Sequence, residues 1–265
     1  MRQAIDANGC HFNVAVDGPP GAPWLVLSHS LGSAHCMWRP QVAAFRQYFR
    51  VLRYDTRGHG ASGVPAGPYS MAQLGTDVLA LLDALGVERA FFCGLSMGGA
   101  TGLWLATHAP ARFFRFVICN TLPWLGPPEA MDARIDAVRR DGLGPLADPT
   151  MERWFTPDFR ASDAFTVREI RSTFLATPVE GYVACCEALR DYDERANLQR
   201  MSRPTLIVGA THDPSPPVAA ARDFAAQVPG ASWAELPAAH LTNLGAAAQF
   251  NAEVVKFLRA DAAAQ

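Results

Sequence analysis

No stretch of the chain approaches the ~18 consecutive apolar residues that a membrane span needs. The opening Met1-Arg2-Gln3-Ala4-Ile5-Asp6 has no apolar core of the kind that directs export. Charge is sparse, at 18% of residues, against about a quarter in an ordinary soluble domain. Neither sign dominates: 23 Lys+Arg stand against 25 Asp+Glu, a formal net charge of -2. That balance lacks the concentrated cationic excess that phosphate backbones demand, so nucleic acid is not the expected partner. The six cysteines (Cys10, Cys36, Cys93, Cys119, Cys185 and Cys186) contain no C-x-x-C pair, and Cys93 and Cys119 sit inside apolar runs. They read as reduced structural thiols of a cytoplasmic protein. There is no phosphate-binding glycine loop, no His/Cys cluster at metal-ligand spacing and no dinucleotide fingerprint. The expectation is a soluble protein with a small-molecule partner, no membrane attachment and no cofactor.

What the chain does have is hydrophobic residues, 49% of 265, enough for one full core with an insertion. Residues near 3–17 alternate around Asn8-Gly9, a strong hairpin-turn signal. Short apolar runs at Trp24–Ser28, Phe49–Tyr54, Ala90–Cys93 and Phe113–Cys119 read as buried strands. Between them, Ser70–Leu85 has helical periodicity, with Leu74, Val78, Leu81, Leu82 and Leu85 on one face and Gly86 as a stop. A small-residue helix follows Ser96 as far as about His108. This alternation predicts an α/β fold, a mostly parallel sheet with helices on both faces. The pattern breaks over residues 121–197, which read as helices without a clear strand. Strand signals return at Thr205–Gly209 and Ser232–Leu236, and an amphipathic helix closes the chain near Ala246–Leu258. The predicted organisation is a core of residues 1–120 and 198–265 with a helical lid, 121–197, over the sheet's carboxyl edge. Asp261–Gln265 reads as a frayed tail.

Gly94-Leu95-Ser96-Met97-Gly98 matches G-x-S-x-G, placed after a strand and opening a helix. That context gives a short motif its meaning: a turn too tight for larger side chains lifts the serine hydroxyl above the sheet. A serine hydroxyl needs a base, and the base needs an acid to set its tautomer. Only His108, His212 and His240 follow Ser96. His108 ends the helix that Ser96 begins, whereas His240 lies just after a strand at the same sheet edge, so His240 is the candidate base. Asp213, following the strand at 205–209, is the candidate acid; Asp191 and Asp193, inside the insertion, are weaker ones. His212 adjoins Asp213 and points elsewhere. An oxyanion needs N–H donors, here those of Met97 and, in the loop Ser28-His29-Ser30-Leu31-Gly32, of Leu31, with His29 as a brace for that loop. The turn-rich Asp55–Gly63 segment carries several titratable groups and reads as scaffold, with Asp55 and Arg57 holding it by charge-assisted hydrogen bonds.

Together these residues resemble the α/β-hydrolase superfamily, and the likeness narrows further. His29-Ser30-Leu31-Gly32, Leu52–Gly60 and Cys93–Gly99 resemble the 3-oxoadipate enol-lactonases. So do Arg153-Trp154-Phe155-Thr156-Pro157, Ala176–Tyr182, Cys185-Cys186 and Ala239-His240-Leu241. The likeness covers nearly the whole chain, lid included, and the lid motifs are the ones that separate substrate classes. The segment His212-Asp213-Pro214-Ser215-Pro216-Pro217 is one residue shorter than the family's usual pattern. The resemblance implies hydrolysis of 3-oxoadipate enol-lactone in aromatic-compound degradation, the β-ketoadipate pathway. It would proceed through an acyl-enzyme on Ser96 without metal or cofactor. The substrate's acetate carboxylate would need a cationic partner in the lid. Arg134 is the candidate, with Trp124 and Trp154 walling an apolar pocket. Alternatives are a general carboxylesterase, a cofactor-free perhydrolase of the same fold, or a hydrolase-like small-molecule receptor.

Overall fold

The computed structural model describes residues 2–260; the tail expected at Asp261–Gln265 lies outside them. Strands β1 (Arg2–Ala7) and β2 (Cys10–Asp17) form the hairpin expected around Asn8-Gly9, with φ of 44° and 70° at those two residues. Positive φ at both central positions is what a tight hairpin turn needs. Then come β3 (Trp24–Ser28), helix α1 (Arg39–Phe45), β4 (Arg50–Tyr54), α2 (Met71–Ala84), β5 (Ala90–Leu95), α3 (Met97–His108) and β6 (Phe113–Cys119). Five helices follow with no strand between them: α4 (Pro128–Asp141), α5 (Gly144–Trp154), α6 (Pro157–Ser162), α7 (Ala164–Leu175) and α8 (Val179–Arg190). The chain then returns through β7 (Thr205–Ala210), α9 (Val218–Gln227), β8 (Ser232–Leu236), α10 (Thr242–Gly245) and α11 (Ala247–Arg259). Helices α1 and α9 were not assigned from the sequence. Each is short and begins at or beside a proline.

The eight strands form one sheet in the order β1-β2-β4-β3-β5-β6-β7-β8. The hairpin pairs antiparallel, and β4, β3, β5, β6, β7 and β8 run parallel. The predicted mostly parallel sheet is therefore the observed one. Parallel strands covered on both faces must be apolar on both. Leu25, Val26 and Leu27 in β3, Phe92 and Cys93 in β5, and Val117 and Ile118 in β6 are all fully buried. Helix α2 buries Leu74, Val78, Leu81 and Leu82; Leu85, expected on the same face, is the half-buried C-cap ahead of Gly86. All six cysteines are free thiols, and burial pushes Cys10, Cys119, Cys185 and Cys186 above the ordinary thiol range. Among the described residues no helix is long and apolar enough to cross a membrane.

After β3 the chain steps to β4 on one side, then returns to β5 on the other. Such a reversal opens a crevice at the carboxyl ends of the two strands, where ligands of open α/β sheets bind. The register places Ser28 opposite Gly94, Leu95 opposite Cys119, Cys119 opposite Val208, and Ala210 opposite Leu236. Hence the loops after β3, β5, β6, β7 and β8 all emerge along one edge. The helices α4–α8 lie over that edge. The two stems of this insertion meet where Trp124 bridges Asp193 and Glu194 N–H donates to Pro123 C=O at 2.7 Å. The insertion seats on the core backbone to backbone: a Cβ at Gly181 of α8 would lie 2.2 Å from Gly58 O.

Candidate active site

Ser96 sits between β5 and α3 with φ 58° and ψ -116°, outside the conformations that side-chain-bearing residues favour. The strain is held from several sides. Ser96 N–H donates to Cys119 C=O at 2.9 Å, and Gly98 N–H donates to His29 C=O at 3.1 Å. The two flanking glycines have no alternative: a Cβ on Gly94 would lie 2.0 Å from Gly98 O, and one on Gly98 would lie 2.1 Å from Ser28 O. The N–H groups of α3's first turn have no intrahelical acceptor, so this helix end favours negative charge beside Ser96.

The loop after β3 is braced by two buried histidines. His29 Nε2 accepts from Thr56 N–H at 2.9 Å, and its Nδ1 lies 2.8 Å from Ser30 C=O. His59 Nε2 accepts from Gly32 N–H at 2.9 Å. A ring nitrogen that accepts from a backbone N–H carries no proton, so both rings are neutral Nδ1–H tautomers. Burial lowers both pKa values, that of His59 to about 3, with the adjacent His29 ring adding to the effect. His29 is thus a brace for the loop. The Asp55–Gly63 segment is held in turn by Asp55, which accepts from His35 Nδ1 and Asn13 Nδ2, both at 2.7 Å. Burial alone would raise this carboxyl, but the hydrogen bond and charge of His35 hold it well below the usual range. Arg57 meets the buried Asp77 of α2, Nε to Oδ2 at 2.6 Å, a partner that the sequence reading did not name.

Asp213 follows β7 and His240 follows β8, and His240 Nδ1 is 2.8 Å from Asp213 Oδ2. Asp213 Oδ1 accepts from Ser215 N–H at 2.9 Å, so the short segment after Asp213 closes back on it. Both side chains are nearly buried. The weaker acid candidates lie elsewhere: Asp191 is tied to Arg190 and Asp193 to Arg195, and neither lines the cavity. His108 stacks on Trp104 at the far end of α3. His212 is exposed, and only its backbone N–H engages Ala238.

Ser96 and His240 line one cavity of about 460 Å³ under the helical insertion, and Leu31 and Met97 line it as well. Among the described residues Ser96 Oγ makes no hydrogen bond, a resting geometry of the kind that tightens only around a substrate. The roof carries Trp124, Arg134 and Trp154, all three expected there, and also Arg153, to which no role had been given. Neither Arg134 nor Arg153 forms an ion pair among the described residues. Burial, with Arg134 adding to it, lowers the Arg153 pKa. Burial also raises the Tyr182 phenol beside them to about 12, against the pull of both arginines. Both guanidiniums are half-buried, Arg134 is hydrogen-bonded to the Tyr182 phenol, and neither has a counter-ion, an arrangement that favours an anion in the pocket. The sequence held one clue to both. Neither arginine has an acidic residue three or four positions away on its helix, where a surface arginine finds a partner. Among the described residues no cluster of three or more His, Cys, Asp or Glu side chains could hold a metal ion.

Comparison with known proteins agrees with this architecture. A family model described as alpha/beta hydrolase fold matches residues 23–247. The chain is 41% identical over 251 residues to 3-oxoadipate enol-lactonase 2 of Acinetobacter baylyi, covering 95% of this chain and 94% of that protein. It is 34% identical to a putative carbamate hydrolase RutD of Stutzerimonas stutzeri, over 85% of this chain and 87% of that one. The crystal structure of the enol-lactonase from Burkholderia xenovorans superimposes with a TM-score of 0.95 at 43% identity, over 97% of this chain and 99% of that one. The chain belongs to the α/β-hydrolase family, with enol-lactonases among its near relatives.

Proposed function

We propose that this protein hydrolyses 3-oxoadipate enol-lactone to 3-oxoadipate, with Ser96 as nucleophile, His240 as general base and acid, and Asp213 behind it. Two guanidiniums without a counter-ion, Arg134 and Arg153, share one cavity with Ser96 and with a histidine already bonded to a carboxylate. This one observation carries the substrate assignment as well as the chemistry. It calls for a small anionic ester, and an enol-lactone bearing an acetate arm is one. The enol-lactonase relatives support the same reading.

In the proposed reaction His240 Nε2 takes the Ser96 proton as Oγ attacks the lactone carbonyl. Asp213 keeps Nδ1 protonated and stabilises the imidazolium without itself taking the proton. The N–H groups of Leu31 and Met97 receive the oxyanion, a contribution on the order of 3 kcal/mol per donor in related chemistry. The ring C–O bond then breaks, and His240 returns the proton to the enol oxygen. Tautomerisation to the ketone removes the hydroxyl that would otherwise close the ring again. Water, deprotonated by His240, attacks the acyl-enzyme and releases the second carboxylate. Arg134 and Arg153 hold the acetate arm throughout, and Trp124 and Trp154 wall the apolar side.

Steady-state kinetics on the enol-lactone test this directly. Ser96→Ala is expected to lower kcat by about 10⁴-fold or more. Wild-type turnover of simple aryl esters as fast as of the enol-lactone would favour a generalist carboxylesterase instead. Full activity in Ser96→Ala would overturn the mechanism.

A further inference from the structure

Three non-glycine residues among those described have positive φ: Asn8, Ser96 and Asn120. Asn8 makes the hairpin turn and Ser96 the turn before α3, which leaves Asn120 to be explained. It directly follows β6, with φ 50° and its side chain buried. Its amide Nδ2 donates to Asp213 Oδ2 at 2.9 Å, the same oxygen that His240 Nδ1 meets at 2.8 Å. Its Oδ1 accepts from Thr242 Oγ1 at 2.6 Å. The amide orientation follows from the chemistry: a carboxylate only accepts, so the NH₂ must face Asp213 and the carbonyl must face the hydroxyl. Thr242 lies two residues beyond His240, so one hydrogen-bonded chain joins the loop of the histidine, the end of β6 and the loop of the acid.

We infer that Asn120 and Thr242 are positioning residues for the reaction: together they fix the carboxylate of Asp213 and moderate its basicity toward His240. The inference rests on the hydrolytic reading of the site. With Ser215 N–H on Oδ1 and Asn120 on Oδ2, the carboxylate cannot rotate away from the imidazole. The Asn120 donor also draws charge from the oxygen that faces His240, and this keeps the shared proton on the imidazole. Removing the donor concentrates charge on Oδ2, which favours the protonated histidine. It also frees the carboxylate to turn, which lowers kcat. The other charged or titratable groups that line the cavity with His240 are Arg134, Arg153, Tyr182 and Arg190 of the helical insertion, and none of them is altered in the variants below.

The test is the pH profile of kcat/KM and of kcat for Asn120→Ala, Thr242→Val and Thr242→Ser, with thermal denaturation in parallel and Ser96→Ala as control. For Asn120→Ala the acid limb should move up by about half a unit to one unit, with kcat about 10-fold lower and KM within about 2-fold. Thr242→Val should shift the limb in the same direction by less, and Thr242→Ser, which keeps the hydroxyl, should restore the wild-type profile. Should Asn120→Ala not fold, the two Thr242 variants decide the matter. An unmoved acid limb, with activity falling only as Tm falls, overturns the inference. So does a Thr242→Ser profile that matches Thr242→Val. These failures are separable from failure of the mechanism itself. Full activity in Ser96→Ala rejects the mechanism. Lost activity there, with unmoved limbs in the other variants, rejects the positioning role alone.

Discussion

Ser96 occupies a backbone conformation that only its surroundings can enforce, and Gly94 and Gly98 are part of that enforcement. Gly98→Ala would drive a Cβ to 2.1 Å from Ser28 O, a backbone atom with nowhere to go. A loss of about 1–3 kcal/mol or more is expected, measurable by urea denaturation, with activity falling alongside. The buried imidazoles behind the β3 loop make a second prediction. The pKa of His59 falls from 6.5 to about 3 on folding. A group depressed in this way contributes stability that is complete above about pH 6.5 and is lost as the pH falls toward 3. Over that window His59 should cost about 1.4 kcal/mol per pH unit. Denaturation series from pH 7 to pH 4 should show the slope, and His59→Asn should flatten it while lowering stability at pH 7. An unchanged slope in the variant would reject this account. The tight turn at Ser96 was legible because its motif is local. Asn120 was not, because its partners lie 93 and 122 positions away and no short pattern announces them.

Helices α4 and α5 bring Arg134 and Arg153 to the cavity, and α8 sets their roof by docking Gly181 against Gly58. Gly181→Ala would place a Cβ 2.4 Å from Gly58 Cα. The helix must then lift, and Tyr182, the next residue, lines the cavity. A lower Tm and a raised KM are expected, with kcat affected less. The two guanidiniums also predict a preference among inhibitors. Short dicarboxylates such as adipate should compete with substrate more strongly than monocarboxylates of equal length. Arg134→Ala or Arg153→Ala should abolish the difference, since a charge-assisted contact of this kind contributes about 1.5–3 kcal/mol. Equal inhibition constants for both classes would contradict this. The helical run was legible as a break in strand-helix alternation, and helices α4–α8 occupy that stretch. That two arginines rather than one reach the pocket depends on how α4 and α5 lie against each other. Periodicity along either helix cannot report that arrangement. Likewise α1 and α9 are too short for periodicity to stand out between their prolines.

The sheet reverses its winding between β3 and β5 and so opens one edge to five loops, which bring Leu31, Ser96, Asn120, Asp213 and His240 together from across the chain. The mostly parallel sheet was legible in the alternation of apolar runs and helices; the order of strands and the reversal were not, because they depend on pairing between strands far apart in the chain. The central claim is that this edge, roofed by the helical insertion, hydrolyses an anionic lactone and recognises it by charge. The most direct measurement compares kcat/KM for the enol-lactone with that for its neutral methyl ester, in the wild type and in Arg134→Ala/Arg153→Ala. The wild type should prefer the anion by about 100-fold, in line with the loss of a buried charge-assisted contact, and the double variant should treat the two alike. A wild-type enzyme that turns over both esters equally would contradict the account.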